Sequence, residues 1–220
     1  MQIFSFLFFI IISSSQINHD HEVSSDSLDV RLLWVDCKLD SVISFEIFNT
    51  AYLGFRQIEN LKKKNLITII DYSLPSTEKR LFVIDLENKN LLYECMVAHG
   101  KNSGDNMASS FSNDPSSLKS SLGFYRTAET YSGKHGYSLR LDGLEKNIND
   151  NARLRDIVIH GARYISETFI KQYGRLGRSW GCLAVPSDIS KELIDTISNG
   201  SCLFIYADDK SYRENSTFIK

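Results

Sequence analysis

The sequence predicts a mostly β fold of the α+β class, preceded by a short helical segment. Past Leu66 the chain becomes rich in branched and aromatic residues, in L-I-T-I-I-D-Y, R-L-F-V-I-D-L and L-L-Y-E-C-M-V-A, a composition that suits a pleated, half-buried surface. The second and third of these runs are joined by Glu87-Asn88-Lys89-Asn90, polar residues suited to a hairpin turn. Beyond them, helix signals are confined to two stretches, Ser166 to Tyr173 and Ser187 to Ile197. Ser-Glu and Ser-Asp pairs open these stretches, and Gly174 and Gly200 punctuate their ends.

Taken in order, the chain opens with an apolar run from Met1 to Ile12, followed by the small residues Ser13, Ser14 and Ser15. This pattern predicts an export leader over residues 1–15, although no Lys or Arg precedes the run as such leaders ordinarily require. The run is shorter than the roughly 20 apolar residues of a membrane span, and no later stretch reaches that length, so no stable membrane span is expected beyond the leader. Residues 16–64 read as a polar lead followed by a helical segment, in which Leu39, Val42, Ile43, Ile47, Tyr52, Phe55, Ile58 and Leu61 recur at helical spacing. Residues 65–210 read as the main domain and 211–220 as a C-terminal tail. Inside the domain, strands are expected at 123–130, 137–141, 156–160, 182–185 and 202–207. The polar stretch from Gly100 to Ser121 is too long for a simple connection, and long loops of this kind often line a site.

The formal net charge of −2 leaves no positive field to hold phosphates, so a nucleic-acid partner is not expected. Four cysteines in an exported chain would ordinarily suggest two disulfides. Here, however, Cys95 and Cys202 lie in strand-like runs where cysteine serves as a small buried apolar residue, and no C-x-x-C pair exists to hold zinc or cycle electrons.

The chemistry concentrates in I-V-I-H-G-A and in G-R-L-G-R-S-W-G-C-L-A-V-P, which set His160 at a strand end and Cys182 just after a glycine-rich turn. A free thiol titrates near about 8.5, so an imidazole able to take its proton makes it a nucleophile at neutral pH. Gly181 permits close backbone approach, and amides around Cys182 are candidate donors to a developing oxyanion. With nucleophile, base and backbone donors in hand, neither a metal nor an organic cofactor is required.

These residues resemble the L,D-transpeptidase catalytic domain, whose signature is a His-Gly pair followed by Ser or Thr, one variable residue, then Gly-Cys. His160-Gly161 and Ser179-Trp180-Gly181-Cys182 fill those positions one by one. The likeness extends from about Leu66 to Ala207 and is closest to the subfamily with R-L-G-R-S-W-G-C and a following proline. It implies an L,D-transpeptidase-like β-sandwich or barrel acting on peptidoglycan stem peptides in the periplasm or cell envelope. In that scheme Cys182 is acylated, His160 activates it, and Ser179 and Gly181 shape the turn. The sequence departs from the pattern twice: Trp180 stands where many members carry His, and Ala184 where they carry Arg. Arg163, Arg175 and Arg178 are candidates to replace that Arg. His99, His135 and Tyr137, each beside glycines at likely strand ends, are expected to line the substrate side with Gly161, Arg178 and Trp180. Structural roles for both histidines and for Tyr137 remain open, as does a zinc peptidase that would use His99, His135 and His160 as ligands.

Overall fold

The computed structural model describes residues 25–219; the leader expected over 1–15 and the first part of the polar lead lie outside them. Two helices come first, α1 (Ser25–Asp36) and α2 (Phe45–Gln57). The helical spacing of Leu39 and Ile43 suggested one continuous segment, but the two helices are separated by a turn in which Lys38 takes φ 57°. Cys37 N–H donates to Leu33 O, and the Trp34 indole donates to Ile43 O at 3.0 Å, so Leu39 and Ile43 reach the core from an irregular segment. In α2, Ser44 caps the N-terminus by accepting from Ile47 N–H, and Ile47, Phe48 and Ala51 form the buried face.

The domain is built on one eight-stranded sheet. Its strands are β1 (Leu66–Asp71), β2 (Leu81–Asp85), β3 (Asn90–Cys95), β4 (Gly123–Gly133), β5 (Gly136–Gly143), β6 (Val158–Gly161), β7 (Leu183–Val185) and β8 (Cys202–Tyr206). They lie in the order β3-β2-β1-β8-β4-β5-β6-β7. Only the β1–β8 and β6–β7 pairs are parallel. β1 and β8 are buried along nearly their whole length, which suits their near-continuous apolar sequences at the centre of the sheet. Chain leaving β3 at one edge crosses to the other, where Ala98 N–H donates to Ala184 O (2.8 Å) and Lys101 N–H to Ser179 O (2.8 Å). The sheet is thereby nearly closed, and residues 97–101 run alongside the Ser179–Cys182 turn.

Three short helices complete the fold: α3 (Glu167–Tyr173), α4 (Ser190–Ile197) and α5 (Lys210–Asn215). Ser166 and Gly174 cap α3 at its two ends as the sequence suggested, whereas α4 starts after Ile189, without a side-chain cap. The residues expected as a tail contain α5. Its Tyr212 is buried, and its hydroxyl meets Glu145 Oε1 at 3.0 Å. The architecture is therefore mostly β with five short helices.

Candidate active site

Register places the two motif residues. In the parallel β6–β7 ladder, Ile159 pairs with Leu183 and His160 with Ala184. Ile159 and Leu183 point into the main core, so His160 and Ala184 point to the opposite face. Cys182, two residues before Ala184, falls on the face of His160, one diagonal step away. The thiol is half-buried, while Cys37, Cys95 and Cys202 are buried and, like it, unpaired.

His160 is poised to accept a proton at one particular nitrogen. Its Nδ1 lies 3.0 Å from Gly161 O, and a carbonyl can only accept, so Nδ1 carries the hydrogen and Nε2 keeps its lone pair. Burial holds the imidazole below its ordinary range, the Gly161 bond works against that, and nearby His135 lowers it further. The Cys182 thiol is pushed up, again chiefly by burial, with the Asp156 charge adding to the effect and the Arg155 guanidinium opposing it. Both groups are thus neutral at rest, with the S–H donating to Asp156 O at 3.5 Å. Asp156 adopts φ 51°, a left-handed conformation that Asp tolerates better than most residues, two residues before β6 begins.

The turn before the cysteine is tied by a single hydroxyl. Ser179 Oγ donates to Cys182 O (2.6 Å) and accepts from Gly181 N–H (3.0 Å). Gly181 takes φ 119°, and a Cβ there would lie 2.9 Å from both Lys119 O and Ile157 Cδ1, so conformation and space both require glycine. Ser179 N–H donates to His99 O at 3.0 Å, which fastens the turn to the crossing segment.

The remaining sequence candidates are distributed around this centre. Trp180 projects from the turn with 69% of its surface exposed. His135, at the β4–β5 hairpin tip, stacks on His160 with ring centroids 4.6 Å apart. Gly161 abuts Ser187 and Ser190 at the start of α4. Three others make their polar contacts with groups other than the sulfur. Tyr137 donates its hydroxyl proton to Asp195 Oδ1 at 2.5 Å. Arg178 reaches Gly104 O (2.9 Å) and Asp105, and Arg175 pairs with the same Asp105 at 2.8 Å. His99 is fully buried, and its Nδ1 accepts from Arg80 Nη2 at 2.9 Å. His99, His135 and His160 do not form a ligand set, since among the described residues no three His, Cys, Asp or Glu groups are arranged to hold a metal ion. Ala184 is fully buried beside Ala98, Ala162, Ile165 and Leu176, a packing with no room for the arginine of the family pattern.

Sequence reading passed over two residues that pack around this region. Arg155 donates to Ser112 O (2.7 Å), Ser121 Oγ (2.5 Å), Ser117 Oγ (3.2 Å) and Lys119 O (2.6 Å), drawing the 100–121 loop over the site. Tyr164 lies on the segment after β6 and packs against the cluster of Ala98, Ala162, Ile165, Leu176 and Ala184. Neither belongs to a motif, and an Arg or Tyr a few residues from a strand end carries no signal by itself.

The family model of the L,D-transpeptidase catalytic domain matches residues 39–206 of the 220, so the match begins upstream of α2. A comparison with curated protein sequences finds no match. Solved structures similar to the chain include an L,D-transpeptidase from Mycobacterium smegmatis (12% identity, 65% of this chain and 59% of that one, TM-score 0.41). Others are L,D-transpeptidase 3 from Mycobacterium tuberculosis (8%, 65% and 61%, 0.41) and Bd1075 of Bdellovibrio bacteriovorus (19%, 68% and 50%, 0.41). The aligned region therefore spans 50–61% of those chains. On the strength of the family match, the chain belongs to the L,D-transpeptidase catalytic domain family.

Proposed function

We propose that the chain is a peptidoglycan L,D-transpeptidase acting outside the cytoplasm, and that it works through a thioester on Cys182. The observation that carries this reading is the shared sheet face of Cys182 and His160, with the imidazole fixed as the tautomer whose Nε2 lone pair is available. In the proposed cycle the sulfur attacks the carbonyl of the L-centre residue that precedes the terminal D-amino acid of a tetrapeptide stem, while His160 Nε2 takes the thiol proton. A neutral resting pair suits this order of events, because proton transfer accompanies attack instead of preceding it. The tetrahedral intermediate collapses, the terminal D-amino acid leaves, and the imidazolium returns its proton to the departing amine. An amine of a second stem then takes the acyl group to form a cross-link, or water takes it and the outcome is L,D-carboxypeptidase activity. Export is supported by the leader expected over 1–15 and by the location of the substrate; among the described residues no helix is long and apolar enough to cross a membrane.

The test is incubation with disaccharide tetrapeptide, followed by mass spectrometry of intact protein and products. Wild type gains the mass of the disaccharide tetrapeptide less one free terminal D-amino acid, and Cys182→Ala gains nothing. Binding of the muropeptide without any adduct or product on wild type would support a wall-binding module that has lost turnover. Activity abolished by a chelator and restored by zinc would replace the thiol mechanism by a metallopeptidase.

A further inference from the structure

We infer that His135 is a positioning residue for the general base: its ring, carried on the tip of the β4–β5 hairpin, steadies the His160 imidazole and supports the cation formed there during acylation. This rests on the acyl-transfer reading above. Its basis is a stack of two imidazoles, with ring centroids 4.6 Å apart and planes 23° from parallel. The two rings differ in exposure. His160 is only 3% exposed, whereas His135 lies open to solvent.

Local structure delivers the ring to this place. Gly133 pairs with Gly136 at the end of the β4–β5 ladder, so Lys134 and His135 form the turn. Gly136 takes φ 77°, the left-handed conformation that such a tight turn needs. Ser138, three residues beyond His135, is the partner of His160 across the β5–β6 ladder, and its hydroxyl donates to Gly136 O at 3.1 Å. Tyr137 fastens the same strand to α4: its hydroxyl donates to Asp195 at 2.5 Å, and Lys191 Nζ lies 5.5 Å from its ring centroid. Sheet and helix together hold the strand that follows the tip.

The stack has a chemical consequence for His160. Gly161 O fixes Nδ1, but a single hydrogen bond leaves the ring free to tilt about it, and a second ring on its face limits that tilt. An aromatic face also attracts a cation, so a neutral His135 favours the imidazolium that His160 becomes on taking the thiol proton. A protonated His135 does the opposite, because its charge lowers the basicity of His160. Through the cycle the sulfur forms the S–C bond, its proton passes to His160 Nε2 and then to the leaving amine, and His135 neither gains nor loses a proton.

Charged groups on the neighbouring elements are engaged with one another. Arg140 of β5 pairs with Asp156 at 3.2 Å, Lys191 of α4 pairs with Asp195 at 2.6 Å, and Arg155 is bonded to the 100–121 loop. Cys182 beside β7 is a neutral thiol, Lys134 is exposed in the turn, and His99 of the crossing segment is bonded to Arg80. Of these side chains, His135 is the one in ring contact with His160.

The experiment follows acylation by a carbapenem and turnover of disaccharide tetrapeptide from pH 5 to 8.5 in wild type, His135→Ala and His135→Phe. Position 135 is an exposed turn residue, so all three proteins should melt together. At pH 8, His135→Ala should lose about 10- to 100-fold in kcat with KM unchanged, and His135→Phe, which keeps a ring, should restore most of that rate. As the pH falls, His135→Phe should hold its rate about one unit lower than wild type, because phenyl takes up no charge to oppose the imidazolium. His99 is common to all three proteins, so a difference between them belongs to position 135. Wild-type rates and pH dependence in both variants would overturn the inference. A loss in His135→Phe as large as in His135→Ala would do the same, since the ring nitrogens and not the stack would then be what the reaction uses. So would a rise in KM alone, the mark of a substrate contact. A wild-type protein that iodoacetamide alkylates at Cys182 but that never acylates would bring down the acyl-transfer reading itself, and this inference with it.

Discussion

At the scale of single residues, the neutral resting state of Cys182 makes a prediction about its reactivity. Burial raises the thiol and outweighs the opposing Arg155 guanidinium, so iodoacetamide alkylation of the native protein should still be rising with pH above the ordinary thiol range of about 8.5. One adduct is expected in the native state, because Cys37, Cys95 and Cys202 are buried, and four after denaturation. A plateau already reached at pH 7 would show a preformed thiolate and contradict this account. Arg155→Met removes the cation that favours the thiolate, and should move the alkylation profile to still higher pH. Ser179 offers a second test at this scale. Its hydroxyl bridges Gly181 N–H and Cys182 O, so Ser179→Ala releases two ends of the turn at a cost of roughly 1–3 kcal/mol each way it is counted. Acylation should fall about 10- to 100-fold with the melting temperature shifted by only a few degrees, and Ser179→Thr should restore most of the rate.

At the scale of elements, the 100–121 loop is held by its own backbone bonds and, across its second half, by one side chain from outside it. Arg155 contacts Ser112, Ser117, Lys119 and Ser121, so Arg155→Met should speed hydrogen exchange across residues 112–121 while leaving the exchange of β1 and β8 unchanged. Unchanged exchange in the loop would mean that Ser103 and Ser120, which also bond across it, suffice without the arginine. This loop illustrates what was legible in the sequence. Its length and polarity marked it as a site-lining element, and apolar runs and the Glu87–Asn90 turn marked β1, β2 and β3. His160 and Cys182 stood out as candidates because they sit in compact motifs. The anchor at Arg155 carried no such signal, because its partners lie 34 to 43 residues away in a spacing with no period. The break between α1 and α2 was hidden for a related reason: Leu39 and Ile43 keep a helical spacing, although the core contacts that bury them come from a turn.

At the scale of the whole molecule, the crossing segment 97–101 couples the stability of the sheet to the geometry of the site, and His99 is its titratable member. The His99 imidazole is buried, and its Nδ1 accepts from Arg80, itself fully buried, which also donates to Val97 O and Leu74 O. Burial first, and then the neighbouring guanidinium, pull His99 down to about 4 from the ordinary 6.5. A folded value below the unfolded one means that, as pH falls, the unfolded chain takes up the proton first. The contribution is therefore intact above pH 6.5 and is lost progressively between about 6.5 and 4, amounting to about 3 kcal/mol across that window. His160, also lowered by burial, acts in the same direction. Asp71 and Glu145 act in the other, because burial raises both carboxyls, so lowering the pH through their titration relieves a destabilisation that the neutral-pH protein carries. The opposing terms are separated by His99→Asn, which retains an oxygen acceptor for Arg80 but cannot ionise. Urea unfolding between pH 7 and 4.5 should show wild type losing stability relative to this variant, and acylation in wild type should fail over the same interval, because the His99 carbonyl holds Ser179 N–H. Identical pH slopes for the two proteins would mean that His99 is not a buried neutral imidazole, and the proposed link between the crossing segment and the cysteine turn would then have no titratable origin.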